Sequence, residues 1–145
     1  MEKGVDLFSH TQKVFDIGEV DITSYSPLAM AYIGDGVYEL IIRTLIITKH
    51  NATLDKMHKM ASRYVKAVTQ SEIINLIKEE LSENEQAIYK RGRNAKSASM
   101  AKNATMAQYR SATGFEALIG YLYLTNKLDR AIEIVKLGID KLDNK

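Results

Sequence analysis

The sequence predicts an all-α domain of six or seven helices around one buried central helix. Three observations predict this fold class. Apolar residues recur at helical spacing along most of the chain, capping signals precede several of these segments, and the single proline, Pro27, stands where a helix would begin. A chain of 145 residues suits one domain with one core, which we place at about residues 20–140.

The central helix is predicted to run from Pro27 to about Thr48. Ser26 is a suitable N-cap, and the proline after it fits the first helical position. Residues 37–47 are apolar nearly all round, which is typical of a buried helix. Frequent β-branched residues make a strand the competing prediction, but the length of the segment and its cap favour a helix.

Capping signals predict the next three helices. Thr53 is expected to cap the second helix, and residues 69–72 and 82–85 have the pattern of a capping box. The helix that follows residue 82 is expected to end at Gly92. Residues 93–104, rich in Ser, Asn, Ala and Lys, are predicted to form a long mobile loop.

Two further helices complete the prediction, over about 107–125 and about 128–142. The first 20 residues are expected to form a short helix or an ordered arm. No second domain is expected, and no secretory signal pattern is visible at the N-terminus. The chain has no cysteine, which excludes disulfides and cysteine-based zinc sites and fits a cytoplasmic location. The three histidines are scattered and are expected at the surface: His10, His50 and His58.

A basic interval without counter-charges is a candidate surface for nucleic acid. No acidic residue lies between Glu85 and Glu116. Such a segment suits a phosphate backbone, although a solvated loop that offsets the neighbouring acidic residues is an equal alternative. A second basic set lies on the helix after Thr53, where an ordinary solvated face is the simpler interpretation. The candidate binding residues are Lys56, Lys59, Arg63, Arg91, Arg93, Asn94, Lys96, Lys102 and Arg110.

Two acidic residues stand in apolar surroundings beside glycines, Asp35 and Glu116. A carboxylate in such a segment is costly unless it is paired or binds a metal. The two could converge on Mg²⁺, which prefers hard oxygen ligands and supports phosphodiester cleavage. The alternative is that each acid pairs with an arginine, such as Arg43 or Arg110. Glu39 could be a further ligand, but we favour its pairing with Arg43, four residues later.

The two acidic segments resemble motifs of a known family. Residues 32–39, Tyr-Ile-Gly-Asp-Gly-Val-Tyr-Glu, are similar to the signature helix of the ribonuclease III catalytic domain, and residues 115–120, Phe-Glu-Ala-Leu-Ile-Gly, to its second acidic motif. The basic segments 90–97, 102–103 and 109–110 are closer still to the Mini-III ribonucleases, which consist of the catalytic domain alone. The resemblance covers roughly residues 20–140.

The resemblance implies an all-helical endonuclease that works as a homodimer on double-stranded RNA. It implies cleavage with Mg²⁺, or Mn²⁺ in its place, giving 5′-phosphate and 3′-hydroxyl ends, and a role in maturation of 23S ribosomal RNA precursors. By position, Asp35 and Glu116 match the catalytic, metal-binding carboxylates. Tyr32 matches an aromatic residue of the dimer interface. With no double-stranded RNA-binding domain, affinity is expected to be weak and steeply salt-dependent.

Two departures from the larger ribonuclease III enzymes put a fully protein-held two-metal site in doubt. Ala31 and Thr113 stand where those enzymes have further acids, although both look typical of the Mini-III subgroup. Gly36 stands where alanine is more usual and is expected to loosen the helix slightly. The competing functions are a catalytically silent RNA-binding module associated with ribosomes and, less favoured, a helical protein-interaction domain.

Overall fold

The described part of the chain, residues 6–96 and 104–144 of a computed structural model, is all-helical and confirms the predicted fold class. It contains seven α-helices and two short 3₁₀ turns, at Ile22–Ser24 and Lys78–Glu80. The α-helices are α1 (Leu7–Val14), α2 (Pro27–Lys49), α3 (Leu54–Val65), α4 (Ala67–Ile77), α5 (Glu83–Asn94), α6 (Met106–Leu124) and α7 (Leu128–Asp143). None of these helices is long and apolar enough to cross a lipid bilayer.

Helix α2 lies at the centre of the fold, and the predicted helix, not a strand, forms there. The side chain of Ser26 caps it by accepting a hydrogen bond from the amide of Ala29 at 3.1 Å. Helix α6 packs across α2 and has ten buried residues of its own. Tyr38 of α2 and Phe115 of α6, both fully buried, meet edge to face with ring centroids 5.4 Å apart.

Two glycines allow α2 and α6 to touch backbone to backbone. A Cβ atom added to Gly34 would lie 1.8 Å from the carbonyl oxygen of Glu116. A Cβ atom added to Gly120 would lie 1.9 Å from the carbonyl oxygen of Met30. Neither position therefore tolerates a side chain at this helix separation. The glycine beside Asp35 serves close helix packing, and both glycines have ordinary helical backbone angles.

A second close crossing corrects the predicted end of α5. Gly92 was expected just beyond the helix, but α5 continues to Asn94 and Gly92 is buried inside it. A Cβ atom there would lie 2.9 Å from the Cα atom of Gly114 and 2.7 Å from the Cβ atom of Ala117. The glycine is therefore a packing residue against α6. The capping box of Ser82 with Glu85, in contrast, is present as predicted.

The predicted start of α4 is also wrong. The capping box expected at residues 69–72 lies inside the helix, which begins at Ala67 without a side-chain cap. Lys66 has extended backbone angles and forms the whole turn between α3 and α4, so the helix starts at once. Gln70 and Ser71 are consequently buried, where the capping interpretation would have placed them at a helix entrance.

The predictions for the two ends of the chain are confirmed, whereas the predicted loop begins later than expected. The short N-terminal helix is present as α1, and its Phe8 packs on Tyr123 with centroids 5.3 Å apart. Helices α6 and α7 lie within one residue of their predicted bounds. The predicted loop 93–104 begins later than expected, because Asn94 is still helical, and residues 97–103 lie outside the described residues. All three histidines are exposed, as expected.

A charged contact connects α7 to α5. The guanidinium group of Arg130 donates hydrogen bonds to both carboxylate oxygens of buried Glu85, at 2.8 and 3.0 Å. The same carboxylate accepts from the backbone amide of Ser82 at 2.9 Å. These bonds, led by the one from Arg130, hold the pKa of Glu85 below its usual value.

Candidate active site

The crossing of α2 and α6 places Asp35 beside Glu116. Gly34, immediately before Asp35, contacts the backbone of Glu116. The carboxyl group of Asp35 is close enough to raise the pKa of Glu116. Because both lie on helices that are fixed by core packing, their separation is set by the fold and not by a flexible loop. The structure therefore brings together the two acids that the sequence singled out.

The two acids differ in exposure, which corrects one expectation. Asp35 is exposed, although its sequence neighbours are apolar, whereas Glu116 is largely covered. The reason is that α2 buries one side only at this turn. Gly34 and Val37 face the core, while Tyr32 and Gly36 lie on the open side with Asp35. The site is thus open to solvent at Asp35 and more covered at Glu116.

Burial and a like charge together favour a bound cation or proton at Glu116. In the absence of metal, burial raises the pKa of Glu116 to about 8, with further contributions from the hydrogen bond and negative charge of Asp35. A hydrogen bond from Gln70 acts in the opposite direction on this pKa. Burial is also the main cause that raises the pKa of nearby Tyr38, with smaller effects from Tyr64 and Glu116.

No basic side chain neutralises this pair within residues 6–96 and 104–144. Arg43 instead pairs with Glu39, as favoured from the sequence, at 3.1 Å. Arg110 is exposed and forms no ion pair there with either acid. The alternative in which each carboxylate is matched by an arginine is therefore not what the structure shows. The negative charge at the site remains available to a ligand.

Neither Ala31 nor Thr113, at the positions of the two missing acids, supplies a carboxylate to the site. Ala31 is buried, and the hydroxyl of buried Thr113 donates to the carbonyl oxygen of Tyr109 at 3.0 Å. No group of three or more acidic, histidine or cysteine side chains suited to a metal occurs among the described residues. The site therefore offers two carboxylates, and any further ligands of an ion would be water or substrate oxygen.

A small depression lies behind Glu116. Its volume is about 180 Å³. The lining residues are Val65, Ala67, Gln70, Tyr109, Ala112, Thr113 and Glu116. Gln70 is a site residue that the sequence interpretation missed, because it was assigned to a capping box. One signal could have found it: Gln70 continues the buried helical stripe of Ile73, Ile74 and Ile77, where a polar residue needs a reason.

The candidate nucleic-acid residues on α3 are exposed. Lys59 pairs with Asp55 at 3.4 Å and Arg63 with Asp143 at 3.0 Å. Such exposed pairs contribute little free energy, typically below about 1 kcal/mol, so they leave the cations available to phosphate. Lys56 is exposed on the same helix.

The candidates on α5 and α6 are also largely exposed. Arg93 lies over the ring of Tyr89 with its guanidinium carbon 5.7 Å from the centroid. The exposed members of this set are Arg91, Asn94, Lys96 and Arg110. Lys102 lies outside the described residues, so the structure brings the described candidates to the surface without testing their role.

Comparison with known proteins defines the class. A family profile described as the Ribonuclease III domain matches residues 28–127, which include both crossing helices α2 and α6 almost completely. A crystal structure of a Fusobacterium nucleatum protein superposes with a TM-score of 0.75 at 31% identity, covering 86% of this chain and 98% of that one. Fold and site thus define a ribonuclease III-type endoribonuclease.

Curated relatives identify the group within this class. The Mini-ribonuclease 3 of Clostridium tetani is 51% identical over 83% of this chain and 80% of the relative. The Mini-ribonuclease 3 of Thermoanaerobacter is 44% identical over 84% of this chain and 86% of the relative. The chain belongs to the Mini-ribonuclease 3 group of the ribonuclease III family, as the two acidic motifs and the basic segments predicted.

Proposed function

We propose that this chain cleaves double-stranded RNA with Mg²⁺ held by Asp35 and Glu116, and that its natural substrate is a 23S ribosomal RNA precursor. The observation that carries the proposal is the pair of neighbouring carboxylates at the α2–α6 crossing. This pair has no cationic partner in the described part of the chain. A silent RNA-binding module would have no use for two mutually repelling acids.

The donor set fits a hydrated divalent cation. Mg²⁺ takes hard oxygen ligands, keeps several waters and is commonly held by one or two carboxylates together with substrate phosphate. Asp35 presents its carboxylate to solvent, and Glu116 supplies the second from the covered side. When bound, such an ion stabilises the charge that develops on the phosphate and makes water a stronger nucleophile. Mn²⁺ has similar ligand preferences and is expected to substitute.

The chain's own residues then have separable roles. Asp35, on the open side of the site, is the carboxylate nearer to incoming RNA. Glu116 supplies the second carboxylate from the more covered side, and its ionised form is required for cation binding. Water and phosphate oxygens complete the coordination, because Ala31 and Thr113 supply no carboxylate. We propose product ends with a 5′-phosphate and a 3′-hydroxyl group, as the resemblance of the sequence implies.

The proposed RNA contacts come from exposed cations on three helices. Arg110 lies on α6, the helix that carries Glu116, so we propose that it contacts RNA on the same side of the molecule as the cleavage site. Arg91 and Arg93 extend the positive surface on α5. The candidates on α3 would contact phosphates farther along the duplex. Since each contact with a phosphate releases counterions, affinity should fall steeply with salt.

A homodimer is proposed from an exposed apolar stripe on α2. Tyr32, Leu40 and Ile47 are 83%, 55% and 53% exposed, and their spacing places them along one side of the helix. Large exposed apolar side chains in a row are typical of an interaction surface. Tyr32 is only three residues from Asp35, so a twofold contact through it would bring the two acidic sites onto one continuous face.

The experiment that tests the proposal compares cleavage of duplex and single-stranded RNA with and without Mg²⁺. Asp35→Asn and Glu116→Gln should keep the fold and lose duplex cleavage by at least about 10²-fold, because the charge that holds the cation is gone. Glu39→Gln is the matched control, since it removes an acid from the same helix that is paired with Arg43. Full cleavage by Asp35→Asn, or cleavage in excess chelator, would refute the proposal.

The substrate is tested separately. A duplex with the sequence of the 23S precursor stem and a duplex of equal length and unrelated sequence are compared at equal salt. We expect cleavage at one position in the first and slower, dispersed cleavage in the second. Equal rates and dispersed positions in both would restrict the proposal to double-stranded RNA in general.

A further inference from the structure

Gln70 is a buried amide at the start of α4, and its surroundings make it part of the acidic site. Its side chain is 1% exposed. A buried amide without partners costs free energy, so its contacts indicate what it is there to do. Its amide nitrogen lies within hydrogen-bond distance of the end of α3, and the depression that it lines is also lined by Glu116 of α6. Gln70 therefore connects three helices at the back of the site.

The contact with α3 fixes which end of the amide faces the site. The side-chain nitrogen of Gln70 lies 3.4 Å from the carbonyl oxygen of Val65, the last residue of α3. That carbonyl can only accept a hydrogen bond and has no partner within its helix. The amide must consequently turn its NH₂ group, with two donors, toward this region. One donor serves Val65 and the other is available to the carboxylate of Glu116.

The carboxylate of Glu116 offers acceptor oxygens at the same depression, which Val65 of α3, Gln70 of α4 and Glu116 of α6 line together. Because the amide of Gln70 is held between α3 and α4, a hydrogen bond from its second donor would restrict rotation of the Glu116 side chain. Such a bond needs only an acceptor oxygen on Glu116, so it is compatible with a cation at the carboxylate.

We propose that Gln70 is a positioning residue of the cation site, whose amide holds the carboxylate of Glu116 in the orientation that faces Asp35. This inference rests on the proposed function, since it concerns the same two carboxylates. Groups that orient metal ligands in this way typically contribute about 10- to 100-fold to metal affinity. The same contribution is expected here, without direct contact between Gln70 and the ion.

If Gln70 only caps α3, its replacement should lower stability to the same extent as loss of another cap, with no specific effect on cation affinity. The fold offers a control for this alternative. The hydroxyl of fully buried Tyr38 donates to the carbonyl oxygen of Tyr64 at 2.7 Å, one residue before Val65. Tyr38 thus caps the same helix end, but it does not line the depression that Gln70 and Glu116 share. Tyr38→Phe removes a cap alone, whereas Gln70→Met removes a cap and the contact with the acid.

The experiment measures Mn²⁺ binding by calorimetry and thermal unfolding in chelator for the full chain and four variants. Gln70→Met should weaken Mn²⁺ binding by about 10- to 100-fold, and Gln70→Asn, whose amide is one methylene short, should also weaken it. Tyr38→Phe should lower the unfolding temperature like Gln70→Met but leave Mn²⁺ affinity unchanged. Asp35→Asn should abolish binding and so identifies the site.

Two results would overturn the role of Gln70. One is wild-type Mn²⁺ affinity in folded Gln70→Met or Gln70→Asn, and the other is an equal loss of affinity in Tyr38→Phe. If the wild-type chain and Asp35→Asn bind Mn²⁺ alike, the cation site itself is wrong and the role of Gln70 falls with it. The Asp35→Asn measurement therefore separates failure of the proposed function from failure of this inference.

Discussion

Replacing Gly34 by alanine tests whether the helix crossing builds the site. The added Cβ atom would lie 1.8 Å from the carbonyl oxygen of Glu116 and 2.8 Å from the amide nitrogen of Gly120. Ordinary contact begins at 3.4 Å, so α2 and α6 would have to separate locally by about 1.6 Å. Both obstacles are backbone atoms, which cannot rotate away as a side chain does. The substitution therefore displaces Asp35 from Glu116.

The expected change in the free energy of unfolding of Gly34→Ala is the difference between two opposing contributions. Overpacking costs about 1–3 kcal/mol, with the upper end expected against backbone, while alanine gains about 1 kcal/mol over glycine in helix propensity. We expect a net loss of about 2 kcal/mol in the free energy of unfolding. That loss corresponds to a decrease of about 4–8 °C in unfolding temperature for a chain of this size. Duplex cleavage should fall further than stability alone explains.

Gly36→Ala is the matched control, two residues away on the same helix. A Cβ atom at Gly36 has nothing within 4 Å. This variant should gain up to about 1 kcal/mol and keep its cleavage rate. Urea or thermal denaturation and cleavage of duplex RNA are measured for both variants. If Gly34→Ala is as stable and active as the wild-type chain, the close crossing does not set the geometry of the site.

The remaining predictions concern pH, an ion pair and the dimer. In chelator, stability should fall as pH rises from about 4.5 to about 8, because folded Glu116 keeps a proton that the unfolded chain releases. In thermal denaturation over the same pH range, Glu116→Gln should not show this fall in stability. Equal pH profiles for the variant and the wild-type chain would contradict the prediction. Arg130→Met should lower the free energy of unfolding in urea by about 3 kcal/mol, because it leaves buried Glu85 without its cation. Lys136→Met removes a cation from an exposed pair with Asp140 and should lower it by less than about 1 kcal/mol. Equal losses in the two variants would show that the burial of the Glu85 pair does not matter for its contribution. Tyr32→Glu should yield a folded monomer in sedimentation equilibrium, and an unchanged dimer would exclude the α2 stripe as the interface.

Local signals in the sequence predict the helices where one signal acts alone. Ser26 with Pro27, Thr53 and Ser82 each begin a helix as their capping chemistry requires. The signals fail where packing competes with them. Gly92 has the position of a helix end, yet it is needed inside α5 because α6 approaches too closely for any side chain. A single sequence does not reveal which glycine is required by a neighbouring helix.

The candidate site, too, could be predicted only in part from the sequence. Asp35 and Glu116 could be found because a carboxylate beside glycine in an apolar segment is unusual in any sequence. Their different exposure could not be found, because it depends on which side of α2 is covered by α6. Gln70 was missed since its neighbours form a capping-box pattern that the turn at Lys66 makes unnecessary. The exposure of Asp35 and the burial of Gln70 are both decided by tertiary contacts between helices.

The most direct test of the central claim is the position of Mn²⁺ in crystals of this protein, measured by anomalous scattering. The account predicts a peak between the carboxylates of Asp35 and Glu116, with waters at the remaining positions and no contribution from residues 31 or 113. The amide of Gln70 should contact Glu116 and not the ion. A well-ordered peak elsewhere, or none near these carboxylates at saturating Mn²⁺, would contradict the account.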